Sequence, residues 1–307
     1  MSQAQRLLLI APPTMSRTPA FDRATALARA LQRPLHIVAF DYLQALAVAG
    51  FFAPEQIRMA RDGYLQSHRQ WLAEQAEAMG KHRIEVSSEV VWVSHPFEEV
   101  LHFVNEMPLA LIIKDAQPES ALKRVFFTPL DWHLLRDCSV PVHLVTDARN
   151  PRPHRVVAIV DVLRSEEQDI LFNDQIIRAA AKLAEVCDAG LELVHVYDWA
   201  AAYAQDIGFG TLPMATGIYQ ALGGAHREAF AAMAERHGVP VQCRHFIEGS
   251  PLPVLCEFAA THHTDVIVMG TVQHSGLDKR LGTTAEQLLH RAPCSVLAIK
   301  PRRALQS

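Results

Sequence analysis

The chain repeats itself, and that constrains its fold more than any single motif. Arg6-Leu-Leu-Leu-Ile10 corresponds to Arg155-Val-Val-Ala-Ile159, each a short apolar strand opening one half. Ser94-His95-Pro96-Phe97 corresponds to Gly249-Ser250-Pro251-Leu252, each placing a proline in the first turn of a helix. Leu111-Ile112-Ile113 corresponds to Val266-Ile267-Val268. Leu134-Leu135-Arg136 followed by Pro141-Val142 corresponds to Leu288-Leu289-His290 followed by Ser295-Val296. The offset stays at about 150 residues, and a chain of 307 residues suits two domains of roughly that size. The stretch Thr146 to Arg155 is polar and carries Pro151 and Pro153, as a linker should. The expected units are residues 1–147 and 154–302.

Within each half, apolar strands alternate with helical periods. Leu35 to Phe40, Val90 to Val93, Leu109 to Ile113 and Val142 to Val145 read as strands in the first half. Val156 to Val160, Leu191 to Val196, Val241 to Ile247, Val266 to Met269 and Ser295 to Ile299 read as strands in the second. Ile176, Ile177, Ala180, Leu183, Ala184 and Cys187 make one apolar helical stripe, and Leu65, Leu72, Ala76 and Met79 make another. Short apolar strands separated by helices predict an α/β fold: a doubly wound parallel sheet with helices on both faces. Ligands of such sheets bind beyond the carboxyl ends of the strands. Gly270 falls at such an end.

Composition removes several classes of function. Net charge is −4, which supplies no electrostatic footprint for nucleic acid or an anionic membrane. No apolar run reaches the roughly 20 residues a membrane span needs, and the N-terminus lacks the pattern of a secretory signal. The five cysteines, Cys138, Cys187, Cys243, Cys256 and Cys294, are scattered without a CxxC pair. Reduced thiols in a cytoplasmic protein are expected.

The segment from Met269 to Pro301 carries the most specific phrase. A buried strand ends in Gly270, a polar loop with Gly276 follows, and Gly282-Thr283-Thr284 opens a helix. Glycines permit close backbone approach to phosphates, and a helix start offers N–H groups to an anion. With the tail Ala-Glu-Gln-Leu-Leu to Ala-Pro-Cys-Ser-Val-Leu, this phrase resembles the C-terminal signature of the universal stress protein family. Nucleotide-binding members of that family carry Gly-x2-Gly-x9-Gly-Ser/Thr here. Gly270 and Gly282-Thr283 match the outer positions. Gln273 stands at the middle glycine, and the loop is one residue shorter. A glutamine there either blocks the phosphates or donates a hydrogen bond to them. In the first half, Val91-Trp-Val-Ser-His-Pro-Phe-Glu98 and Phe127-Thr-Pro-Leu-Asp-Trp-His-Leu-Leu135 resemble the tandem, E-type members, and the resemblance covers nearly the whole chain.

The resemblance implies two tandem Rossmann-like units, of the adenine nucleotide alpha hydrolase-like kind, forming an internal pseudo-dimer through the strands Val142 to Val145 and Ser295 to Ile299. A further homo-oligomer stays open. It also implies a stress-response protein that binds a small-molecule ligand, ATP or AMP, in the second unit without turnover. Val160 and Asp161 contact the nucleoside in that reading, and Val196 lines the base pocket. Met269 and Gly270 sit under ribose and phosphates, and Gln273, Gly282, Thr283 and Thr284 surround the phosphates. Thr283 or Thr284 serves equally well as a plain helix cap, and Asp161 as a turn residue after a strand. Lys279-Arg280 either meets phosphates or is solvated. The first unit departs from the pattern. Lys114-Asp115 replaces Met-Gly, Pro129-Leu130 stands near the helix start, and Pro12 replaces the acid that Asp161 retains. Asp115 facing phosphates would repel them.

Two rival readings remain at this stage. Residues 43–54 and 199–225 are apolar segments following the second strand of each half, and such segments line apolar-ligand pockets or pack as ordinary core. They make an acyl or lipid-like metabolite the alternative ligand, and a slow ATPase the third reading. No catalytic set is expected: there is no Gly-x-Ser-x-Gly elbow, no paired nucleophile and base, and no lysine-bearing phosphate loop. No metal is expected either. Among sixteen histidines, His262 and His263 are adjacent and point about 100° apart on a helix, while His133, His143, His195 and His245 lie on or near apolar elements.

Overall fold

The computed structural model describes residues 5–41, 54–81, 83–93, 96–116, 130–146, 150–162, 167–198, 216–271, 287–288 and 291–301. The chain divides into two compact units, Met1–Arg152 and Pro153–Ser307, with the division inside the polar stretch 146–155.

The first unit contains β1 (Arg6–Ala11), α1 (Pro19–Leu31), β2 (Leu35–Asp41), α2 (Pro54–Gly80), β3 (Val86–Trp92), α3 (Pro96–Glu106), β4 (Leu109–Asp115), α4 (Leu130–Asp137) and β5 (Val142–Val145). Its strands run parallel in the order β3-β2-β1-β4-β5. The second unit contains β6 (Arg155–Ile159), α5 (Glu167–Cys187), β7 (Gly190–Tyr197), α6 (Thr216–Arg236), β8 (Arg244–Glu248), α7 (Pro251–Thr261), β9 (Val266–Gly270) and β10 (Ser295–Ile299). Its order, β10-β9-β6-β7-β8, is also parallel and repeats that of the first unit.

The apolar runs explain the sheets. Leu7, Leu8 and Leu9 are fully buried in succession, and so are Val266, Ile267 and Val268 within a per cent. Consecutive burial requires cover on both faces, which parallel strands linked by crossover helices provide. The expected stripe on α5 is buried from Phe172 through Ile176, Ile177, Ala180, Leu183 and Ala184 to Cys187. On α2, Leu65, Leu72 and Met79 are buried. None of the five cysteines is in a disulfide. No described helix is long and apolar enough to cross a membrane.

Three strand ends differ from the sequence reading by two residues or more. Val241 to Cys243 form a 3-10 turn, not strand, and β8 begins at Arg244. Val241 is 74% exposed behind Pro240, so its β-branched side chain has no face to bury. β3 begins at Val86 because it lies at the edge of its unit's sheet, where Ser87, Ser88 and Glu89 are tolerated. β4 continues through Lys114 and Asp115, since Asp115 pairs in register with Val145.

Candidate functional site

In the second unit the chain winds outward from β6 to β7 and β8, then returns to β9 on the other side of β6. The carboxyl ends of β6 and β9 therefore flank the topological switch point, where a doubly wound sheet opens a crevice. Val160 and Asp161 follow β6, and Gly270 ends β9.

The β6 end is firmly held. Val160 donates its N–H to Val194 O at 3.0 Å. Its carbonyl accepts from His195 Nδ1 at 3.0 Å, which fixes the proton of this buried imidazole on Nδ1. Burial pushes the His195 pKa down, against the opposing pull of the Val160 bond and Asp161, so the ring is neutral. The buried amide of Asn173, on α5, reads both backbone groups of Asp161. Asp161 N–H donates to Asn173 Oδ1 at 3.1 Å, and Asn173 Nδ2 donates to Asp161 O at 2.6 Å. One side chain thus satisfies two polar backbone groups where the ladder stops, and Asp161 stays exposed.

The other expected residues divide by strand pleat. Val196 and Met269 are buried in the cluster containing Val157, Val194, Leu255, Phe258 and Ile267, which faces α7. Their side chains belong to the core. Gly270 faces α5: a Cβ there would lie 2.5 Å from Phe172 Cε1 and 3.2 Å from Ile176 Cδ1. The absent side chain lets Phe172 close over the strand end, a packing reason for the glycine that the motif did not disclose. Thr271 is buried and its N–H donates to Ile299 O at 3.2 Å. Gln273, Lys279, Arg280, Gly282, Thr283 and Thr284 lie outside the described residues. So do 43–53 and 199–215. The rest of the second apolar segment, 216–225, is helical in α6.

The first unit spends the same position differently. Asp115 pairs with Val145 as Gly270 pairs with Ile299, so the two end their strands in equivalent register. The Asp115 carboxylate turns toward the start of α1, where it accepts from Thr18 Oγ1 and, at 3.1 Å, from Ala20 N–H. Thr18 is the helix N-cap yet caps no backbone group with its own side chain. Asp115 supplies that cap from across the fold, next to the positive end of the helix dipole. Burial raises its pKa against the lowering effect of those two bonds. The carboxylate is committed to holding α1 on β4. Lys114 Nζ stands 2.8 Å from Asp131 Oδ1 on α4.

Comparison with known proteins accounts for both halves. The sequence profile of the universal stress protein family matches residues 6–146 and again 156–300. Universal stress protein E of Escherichia coli K12 is 27% identical over 304 residues, covering 98% of this chain and 95% of that protein. A Haemophilus influenzae homologue of that protein is 30% identical over 243 residues, covering 78% of this chain and 77% of its own. Two crystal structures share the fold. One is a Pseudomonas aeruginosa PAO1 protein of unknown function, with TM-score 0.71 and 23% identity over 97% of this chain and 93% of that one. The other is a universal stress protein of Archaeoglobus fulgidus, with TM-score 0.66 and 15% identity over 98% of this chain and 100% of that one. With both sheets wound alike and both halves matched, the chain belongs to the universal stress protein family as a tandem, E-type member.

Proposed function

We propose that this stress-response protein binds an adenine nucleotide, ATP or AMP, at the switch point of its second unit, acts in the cytoplasm, and works by binding without turnover. One observation carries the reading. Asp161 is held at the end of β6 by both of its backbone groups, exposed, beside the β9 end from which the Gly270 to Thr284 segment departs. A carboxylate so placed suits the hydroxyls of a nucleoside, and a glycine-threonine helix start suits its phosphates. In the first unit Asp115 fills the equivalent strand end, so the reading assigns one site per chain. His195, the imidazole behind Asp161, donates from Nδ1 to Val160 O, and its Nε2 lone pair is buried, so neither solvent nor a ligand at the strand ends reaches it as a base.

Calorimetric titration of ATP and AMP into the full chain tests this directly. One equivalent should bind, and Gly282→Asp should abolish it by setting a carboxylate against the phosphates. Unchanged ATP affinity in that variant refutes the site. Gln273→Gly should strengthen ATP binding by restoring backbone access. A loss of about 0.5–3 kcal/mol would instead identify Gln273 as a phosphate donor. Native mass spectrometry of the purified protein separates the rival: a co-purifying acyl compound with no nucleotide would move the reading to an apolar ligand.

A further inference from the structure

At the amino ends of the second unit's strands, away from Asp161 and Gly270, three side chains from separate elements converge. Glu192 is the third residue of β7, His245 the second of β8, and His262 follows α7. Glu192 Oε2 lies 3.0 Å from His262 Nδ1 and 3.1 Å from His245 Nε2. All three ligand atoms fall within 4.8 Å of one another. The buried ring of Phe258 orients both imidazoles. His262 stacks on it with centroids 3.9 Å apart, and His245 meets it edge-on at 4.8 Å. Arg155 steadies the third donor from outside, its Nη1 donating to His262 O at 3.0 Å.

We propose that Glu192, His245 and His262 form a binding site for a divalent transition-metal ion, with coordination positions left open to solvent. Zn²⁺ takes imidazole nitrogen at about 2.0–2.1 Å and carboxylate oxygen at about 2.0–2.2 Å, so tetrahedral ligands stand about 3.3 Å apart. Both Glu–His separations are within a few tenths of an ångström of that. Two imidazoles and one carboxylate suit Zn²⁺, Co²⁺, Ni²⁺ and Fe²⁺ and disfavour Mg²⁺ and Ca²⁺, which prefer oxygen. The side chains of Glu192, His245 and His262 are 20%, 22% and 32% exposed, so the cluster lies just beneath the surface.

A hydrogen-bonded cluster with no ion explains the arrangement less well. His262 Nδ1 makes a hydrogen bond to Glu192. His245 Nε2 is buried and lies 3.1 Å from the same oxygen. Two imidazole nitrogens from separate elements thus converge on one carboxylate oxygen, the arrangement a shared cation holds. Arg155, 4.0 Å from Glu192 Oε1, is half-exposed, where solvent screens its charge.

The first unit supplies an internal control. His36 and Glu89 occupy the matching strand positions with acid and imidazole exchanged, 3.9 Å apart, and Phe103 lies beside His36. Met107 N–H bonds Phe103 O just as His262 N–H bonds Phe258 O, so methionine stands at the third ligand's place. One site per chain is therefore expected.

The test is a Zn²⁺ titration of the full-length, EDTA-stripped protein in competition with a chromophoric chelator. A parallel Co²⁺ titration is followed by visible absorption. His245→Ala and His262→Ala should each weaken the tightest equivalent by at least about tenfold, since losing even a ligand's partner costs about 10–100-fold. His263→Ala, at the exposed neighbour, should leave it unchanged. Zn²⁺ should also raise the thermal midpoint of the native chain and not that of the two variants. Should an alanine variant fail to fold, Glu192→Gln, which keeps size and shape, carries the same expectation. Equal Zn²⁺ affinity in the native chain and these variants, or no saturable equivalent in the native chain, overturns the site.

Discussion

The carboxyl ends of the second strands show how one fold accommodates two interiors. In the first unit, Asp41 ends β2, and its Oδ2 lies 2.5 Å from His68 Nδ1 on α2, with both side chains fully buried. In the second, Tyr197 ends β7 in the same register. Arg83 and Gly238 both take positive φ just after α2 and α6 and bond back alike, to Gly80 and Glu235. Counting back from those turns places Gly223 where His68 stands. The Tyr197 ring lies over that glycine, 3.6 Å from the position of its missing Cβ. An imidazole bonded to a carboxylate in one unit is matched by an aromatic ring over a glycine in the other. Asp115 and Gly270 show the same exchange: a carboxylate holds α1 in the first unit, and Phe172 closes over a glycine in the second. Polar groups of the first unit are consumed in holding helices to the sheet, whereas the second leaves Asp161 exposed at its switch point.

The largest effect should come from cutting the buried pair. His68→Ala removes the imidazole bonded to Asp41 and leaves a cavity, and should destabilise the chain by about 1–3 kcal/mol for the lost bond plus the cost of the void in denaturant unfolding. Installing the second unit's solution, Asp41→Tyr with His68→Gly, should cost less than His68→Ala alone. A double variant less stable than the single one would break the proposed equivalence. Next comes Gly270→Ala, whose Cβ would collide with Phe172; about 1–3 kcal/mol of overpacking is expected. Phe172→Leu should recover part of that loss. Asp115→Ala removes a borrowed cap and should cost about 0.5–2 kcal/mol, read as a lower chemical-denaturation midpoint.

Those exchanges also show what the sequence could disclose. The repeat, the strands and the α5 stripe are local periodicities, and local patterns survive folding because each element buries the face its own residues define. Val241 to Cys243 misled because the β-branched Val241 follows a proline that turns the chain first. Gly270 was legible as a glycine that matters, but its packing against Phe172 depends on how α5 crosses β9. The capping role of Asp115 depends on α1 lying over β4. Glu192, His245 and His262 meet only because β7 and β8 pair in one particular register, with Leu193 opposite Arg244. No spacing rule connects three residues so far apart in the chain.

The smallest effect is a gentle slope with pH. Burial lowers the pKa of His195 and of His36 from 6.5, with Arg6 adding to the shift at His36. The unfolded chain then binds more protons than the folded one below about pH 6.5. Stability present above that pH should fall as pH falls toward the lowered folded values. Urea midpoints at about pH 7.5 and pH 5.5 should show the decline, and His195→Gln should flatten it. A midpoint that rises on acidification would contradict neutral, buried imidazoles at these two positions.

Hydrogen exchange with and without ATP, read peptide by peptide, tests the asymmetry of the two units most directly. ATP should protect the backbone at 157–162 and 270–284 and leave the matching stretches of the first unit, 8–13 and 115–130, unchanged. Protection in the first unit, alone or together with the second, would contradict the assignment of the ligand to the switch point that keeps Asp161 and Gly270.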